Sequence, residues 1–353
     1  MSVTAEPRVD NMPSPLSIAV LMIQGIGDVI CATPIVLGLR QAYPKARIVG
    51  ILKGPTEADL FGGASALDRV IYCDPGRTRT PGGVLALLRE LRRERLDAFV
   101  VATDIDAIKA PILSWLSGAC WRVGESWSVF SRLYTHRVLR NAQQHKVRSN
   151  WDILGAFGIE ARPAPCVHIA DEDREQAMDL LRRQGIGDDA RLVAIHPGSG
   201  EAERHKRWPE AKYVELIREL GSRLLHRVVL VGGPEEIGLC ERIRRDASDI
   251  AVNLAGQLDI RQTAAVLQRS EAVVGADSGI MHLAGACGAR TVSLFGPTSP
   301  ARTATHRVDH IITRHLPCSP CYPRLPRGCD NPVCMRKIMP SDVMSCLREI
   351  LLW

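Results

Sequence analysis

The sequence predicts an α/β protein built from two successive doubly wound parallel sheets, and three observations carry that expectation. Apolar runs read as buried strands and alternate with helical segments through the first half of the chain. The same alternation restarts at Leu192 and continues to Phe295. The runs end in turns of Gly, Pro, Asp and Ser, the punctuation that separates a strand from the next helix. At 353 residues the chain fits two domains of ordinary size. We expect a lead-in over residues 1–15, one domain over 16–163 and a second over 168–353, with the Pro-bearing segment Ala161 to Val167 as linker. Doubly wound sheets bind ligands at the carboxyl ends of their strands, so a cleft between the domains is the expected site.

The first half begins with a strand from Ser17 to Ile23, followed by the turn Gly25-Ile26-Gly27-Asp28 and a helix to about Ala42 that Pro44 ends. Arg47 to Leu52 and Arg69 to Cys73 read as further strands. In the helix near Val84–Leu96, Val84, Leu87, Leu88 and Leu91 recur at helical spacing and mark its buried stripe. Its arginines (Arg89, Arg92, Arg93, Arg95), interspersed with Glu90 and Glu94, read as a solvated face. A strand from Asp97 to Ala102 follows. Trp115 to Asn141 shows no clear period and receives no element. A helix around Asn150 to Phe157 precedes the linker.

In the second half, Leu192 to His196 is a strand, and Pro197-Gly198-Ser199-Gly200 opens a loop. Pro209 stands at the first turn of a helix to about Leu220, a position where its missing N–H costs little. Val228 to Val231 runs into Gly232-Gly233-Pro234. A short strand near Val252 and a helix from about Ile260 to Gln268 lead to the most informative stretch, Val273 through Ala286. There an apolar strand ends at Asp277, Ser278 and Gly279 turn, and a small-residue helix starts at once. Such a turn aims unpaired N–H groups and the positive end of a helix dipole at one spot, which favours phosphate. Gly279 permits close approach to the backbone, and His282 lies one turn in from Ser278 on the same face. The same residues also fit an ordinary strand–helix turn with a packed histidine. A strand from Arg290 to Phe295, ending at Gly296-Pro297-Thr298, completes the series.

Composition narrows the function classes. Hydrophobic residues are 46% and charged residues 24%, normal for a globular chain with a large core. No apolar run is long enough to span a bilayer, and the polar stretch Met1 to Pro15 lacks a signal-peptide layout, so a cytoplasmic protein is expected. The net charge of +6 suits an acidic small molecule or an anionic membrane surface. Aromatics are 5%, with no basic patch interleaved among them, so nucleic acid is not an expected partner.

Eleven cysteines in such a chain do not read as a disulfide framework. Cys31, Cys73, Cys120, Cys166, Cys240, Cys287 and Cys346 are scattered and read as small buried hydrophobes. Cys318, Cys321, Cys329 and Cys334 cluster in a Pro-rich loop over 317–335, where four thiolates could organise one structural zinc or iron. Their spacing is not a standard zinc-ribbon spacing. Four reduced thiols or a redox-labile loop fit the same pattern.

Five motifs, in order, resemble glycosyltransferase family 9, whose members include the lipopolysaccharide heptosyltransferases. They are Gly27-Asp28 with Thr33-Pro34; His196-Pro197-Gly198; Lys206-Arg207-Trp208-Pro209; Gly232-Gly233-Pro234 with Glu236; and Asp277-Ser278-Gly279 with His282 and Phe295-Gly296-Pro297-Thr298. The resemblance implies a GT-B fold, two Rossmann-like domains facing a central cleft. It implies an inverting transfer of heptose from ADP-L-glycero-β-D-manno-heptose to a lipopolysaccharide inner-core or related glycan, with no cofactor required for the chemistry. A glycolipid acceptor would allow peripheral contact with the cytoplasmic face of the inner membrane. Another nucleotide-sugar, a protein acceptor, or a GT-B sugar-nucleotide epimerase remain the alternatives.

Carried onto this sequence, the resemblance places the catalytic base at Asp28, with Gly25 and Gly27 leaving room for the acceptor sugar. The alternative for Asp28 is a helix cap. Lys206, Ser278, Gly279 and His282 are expected on the donor diphosphate, with Glu236 near the ribose. Asp277 is expected either to shape its turn or to bond a sugar hydroxyl, and Trp208 and Pro209 to pack. The alternative for Lys206 is a solvated side chain. One departure stands out: Met22 occupies a position near the end of the first strand where the family commonly carries Lys or Arg.

Overall fold

The computed structural model describes residues 16–62, 66–223, 226–307, 309–321, 329 and 331–351. The expected lead-in over residues 1–15 lies outside them. The chain divides into two compact units between Pro165 and Cys166. Each contains one six-stranded sheet in which every strand pair is parallel.

In the first unit the strands are β1 (Ser17–Met22), β2 (Arg47–Leu52), β3 (Arg69–Tyr72), β4 (Ala98–Val101), β5 (Trp121–Ser126) and β6 (His136–Leu139), in the order β3-β2-β1-β4-β5-β6. In the second they are β7 (Leu192–His196), β8 (Arg227–Leu230), β9 (Ala251–Asn253), β10 (Ala272–Ala276), β11 (Thr291–Phe295) and β12 (His310–Thr313), in the order β12-β11-β10-β7-β8-β9. Counted from its own first strand, each sheet therefore has the doubly wound order 3-2-1-4-5-6. The chain leaves the first strand in one direction and returns through the fourth on the other side. That switch point opens a crevice beyond the carboxyl ends of β1 and β4, and another beyond β7 and β10.

The strands form where both faces are covered. Ile18 through Met22, Ala98 through Val100 and Leu192 through Ile195 are buried to the last residue, which explains their unbroken apolar character. The helix Ile26–Ala42 is buried along most of its length, and the Glu210–Arg223 helix packs its apolar face on the second sheet.

Several expectations need correction. The first helix starts at Ile26 with Gly25 as its N-cap, so Gly27 and Asp28 lie in its first turn rather than in a loop. Val84 is exposed, and only Leu87 and Leu91 of the Pro81–Arg93 helix are buried. Glu90 of that helix pairs with Arg69 at 3.1 Å and with Arg77 at 2.7 Å, so ion pairs take up part of the helix surface beside the apolar stripe. Pro209 precedes its helix and accepts the amides of Lys212 and Tyr213 instead of opening the first turn. The stretch from Trp115 to Asn141 holds β5 and β6. Cys120 and Cys166 are exposed, one in a turn before β5 and the other where the units divide, and Cys346 is half-buried.

Candidate active site

In the second unit the β7–β10 switch point gathers the expected donor residues. Ser278 caps the Gly279–Ala286 helix with extended backbone (φ −155°, ψ 165°), yet its side chain does not bond the helix amides. It bonds His196 Nδ1 at 3.0 Å instead, while His196 Nε2 meets Glu236 Oε2 at 3.1 Å. Glu236 also accepts from Gly233 N–H at 3.0 Å. One buried imidazole at the end of β7 thus joins the residue expected on the diphosphate to the residue expected at the ribose. Burial works against the Glu236 carboxylate, but His196, the Gly233 amide and Arg207 outweigh it and hold its carboxyl below the ordinary range.

Lys206 ends the short 3-10 helix Glu201–Lys206 and is 8% exposed. Its ammonium pairs with Glu203 at 2.7 Å and lies 3.7 Å from Asp277 Oδ2. A solvated lysine does not describe it. Asp277 also accepts from Thr303 Oγ1 at 3.2 Å, so it braces two loops at the head of the helix. Its neighbour Lys206 balances its charge, which is how an acid can stand beside an anion site. His282 is buried in the helix, its amide on Ser278 O at 3.3 Å. Trp208 is buried, donates Nε1–H to Ile338 O and meets Tyr213 edge-on, which is a packing role.

Two glycines are set by close approach. A Cβ on Gly198 would fall 1.5 Å from Glu236 Oε1. A Cβ on Gly296 would meet the sulfurs of Met335 at 2.5 Å and Cys334 at 2.8 Å. Gly198→Ala is therefore expected to push Glu236 off His196 and to cost about 1–3 kcal/mol of stability, as overpacking does. A urea midpoint equal to that of the parent protein would contradict this reading of the loop.

In the first unit the β1–β4 switch point holds an ion network. Asp28 pairs with Lys146 through Oδ1. Lys146 also lies 3.8 Å from Asp104 Oδ2, and Arg140 pairs with Asp104 at 2.9 Å. Glu125, buried on β5, accepts from Thr103 Oγ1 at 2.8 Å and from Asp104 N–H at 3.0 Å. No side chain caps the first helix, and Asp28 turns to Lys146 rather than to a backbone amide, so the capping alternative does not hold. A Cβ on Gly25 would meet no protein atom within 4 Å, which leaves open space beside Asp28's turn. Met22 is fully buried at the end of β1, and the cation near Asp28 comes from Lys146 instead. Lys146, Arg140, Glu125 and His196 were not among the expected site residues. Only His196 carried a local signal, the His-Pro-Gly turn after an apolar strand.

The four expected metal ligands Cys318, Cys321, Cys329 and Cys334 are all described residues. Cys318 is exposed, Cys321 and Cys329 are half-buried, and Cys334 packs into the core on the Val333–Arg336 helix. Burial, and then the neighbouring thiols, push Cys321 and Cys334 up from the usual range, so the four stand near one another. Among the described residues, however, no three His, Cys, Asp or Glu side chains are placed to hold a metal ion. Residues 322–328 and 330 of that loop lie outside the described residues. No described helix is long and apolar enough to cross a membrane.

Residues 84–328 match the family model described as glycosyltransferase family 9 (heptosyltransferase). The chain is 30% identical to lipooligosaccharide heptosyltransferase 2 of Haemophilus ducreyi over 82% of its length and 86% of the relative's. It is 24% identical to the lipopolysaccharide core heptosyltransferase OpsX of Haemophilus influenzae, over 85% of both chains. Its fold is similar to that of the E. coli ADP-heptose lps heptosyltransferase II, with a TM-score of 0.75, 20% identity, and coverage of 96% of this chain and 99% of that one. The fold is GT-B.

Proposed function

This chain belongs to glycosyltransferase family 9, and on that premise we propose that it transfers heptose from ADP-L-glycero-β-D-manno-heptose to a lipopolysaccharide inner-core glycan. Donor and acceptor are supported by the names of the relatives, which are heptosyltransferases of lipopolysaccharide or lipooligosaccharide. The observation that carries the donor side is the pairing of the buried Lys206 with a helix N-terminus that no side chain caps. Together they offer an ammonium and a row of backbone N–H groups to a diphosphate. Lys206, Ser278, Gly279 and His282 bind the diphosphate in this reading, and Glu236 accepts from the ribose hydroxyls.

The transfer proceeds with inversion. Asp28 takes the proton of the acceptor hydroxyl as that oxygen bonds to the anomeric carbon, and the bond from that carbon to the diphosphate oxygen breaks on the opposite face. ADP departs with the bonding pair. Lys206 and the helix N-terminus offset the charge that develops on it, so the leaving group needs no metal ion for this purpose. A glycolipid acceptor would bring the first unit to a membrane surface. Exposed Trp127, Val129 and Phe130, beside exposed Arg132, support such a contact.

The donor is tested by thermal shift against ADP-, UDP- and GDP-sugars. A ligand that binds only the native state stabilises it by about 2.7 kcal/mol at a hundred times its Kd. ADP-heptose is expected to raise the melting temperature most. A larger shift with a UDP- or GDP-sugar would replace the donor.

A further inference from the structure

Beside the candidate base lies a cation that the chemistry above does not use. Lys146 opens the Lys146–Gly155 helix. Asn150 of that helix ties it down on two sides, donating to Cys31 O at 2.8 Å and accepting from Thr103 N–H at 3.1 Å. Cys31 belongs to the helix that carries Asp28, and Thr103 precedes Asp104. These two bonds bring the head of the helix to the switch point. Lys146 reaches both carboxylates there, and its side chain is only 16% exposed.

The surrounding charges single out Asp28. Asp28 and Cys31 face Lys146 from the first helix, Asp104 faces it from the loop after β4, and Arg140 and Glu125 stand behind Asp104. Arg140 serves Asp104 and Glu125 and lies over the Trp127 ring at 4.1 Å. Lys146 is the cation that pairs with Asp28. The bond to Lys146 fixes the Asp28 carboxylate through one of its oxygens.

We infer that Lys146 is a positioning residue for the transfer: it holds Asp28 through Oδ1, so that Oδ2 is offered to the acceptor hydroxyl. The inference rests on Asp28 being the base. Burial opposes charge on Lys146, and the two aspartates outweigh burial and hold its ammonium above the ordinary lysine range. It therefore stays a cation across the pH range in which a carboxylate base works.

The test compares kcat and KM of the parent protein, Lys146→Met and Lys146→Arg, with ADP-heptose and heptose-free lipopolysaccharide core as probes. Lys146→Met is expected to lower kcat by about 10²-fold, the cost of a small misplacement of a reacting group, with the KM for ADP-heptose little changed. Its ADP affinity should be unchanged, and Lys146→Arg, which keeps a cation there, should restore most of kcat. A folded Lys146→Met with parental kcat, or one whose loss lies in KM alone, would overturn the inference and leave Lys146 a structural residue. Should Lys146→Met not fold, the arginine variant decides alone: a kcat within a few-fold of the parent's supports the inference, and a loss of about 10²-fold overturns it. Near-native turnover of Asp28→Asn would instead overturn the reading beneath, whatever the lysine variants show.

Discussion

Asp28→Asn is expected to lower turnover by ~10²–10⁴-fold, the loss that accompanies removal of a general base, while ADP-heptose still binds as before. The substitution keeps the size of the side chain and one oxygen for Lys146, so the ion network loses a charge but not its shape. Asp28 stands in the first turn of the Ile26–Ala42 helix, where the N-cap is Gly25 and no capping bond depends on the carboxylate. Little stability should be lost with it, and the melting temperature serves as the control. Near-native turnover would exclude Asp28. Asp104 would then be the next carboxylate to replace, since it shares Lys146 at 3.8 Å.

Lys206→Ala is expected to weaken ADP binding by roughly 1.5–3 kcal/mol, the worth of a hydrogen bond to a charged group. The structure adds a reason to expect the upper part of that range. Lys206 is buried beside Asp277, so its removal leaves that carboxylate without its nearby cation, where it repels the incoming diphosphate. Calorimetric titration with ADP measures the effect directly. An unchanged Kd would remove Lys206 from the donor site.

The legible part of the fold was the part whose strands are buried on both faces. Arg47–Leu52 and Leu192–His196 carry unbroken apolar runs and appear at the expected residues. β5 was not legible, because Trp121–Ser126 contains Arg122, Glu125 and Ser126, and its buried Glu125 is satisfied by Thr103 and the Asp104 amide rather than by apolar neighbours. β6, at the sheet edge, is only partly buried, and its residues His136-Arg137-Val138-Leu139 do not alternate between polar and apolar although their burial does. The candidate donor cluster was legible because each of its residues sits at a turn with a local signature. Lys146 was not, since it meets Asp28 from 118 residues away and lies before the helix expected from about Asn150, which in fact opens at Lys146. The cysteines carry a suggestive spacing and stand near one another, but among the described residues no three His, Cys, Asp or Glu side chains are placed to hold a metal ion.

Transfer of heptose from ADP-heptose to a glycan is measured by ADP release with and without heptose-free lipopolysaccharide core. Release should require the acceptor, and the acceptor should gain one heptose by mass for each ADP released. Turnover of ADP-heptose at the same rate without acceptor, or binding with no turnover under either condition, would contradict it.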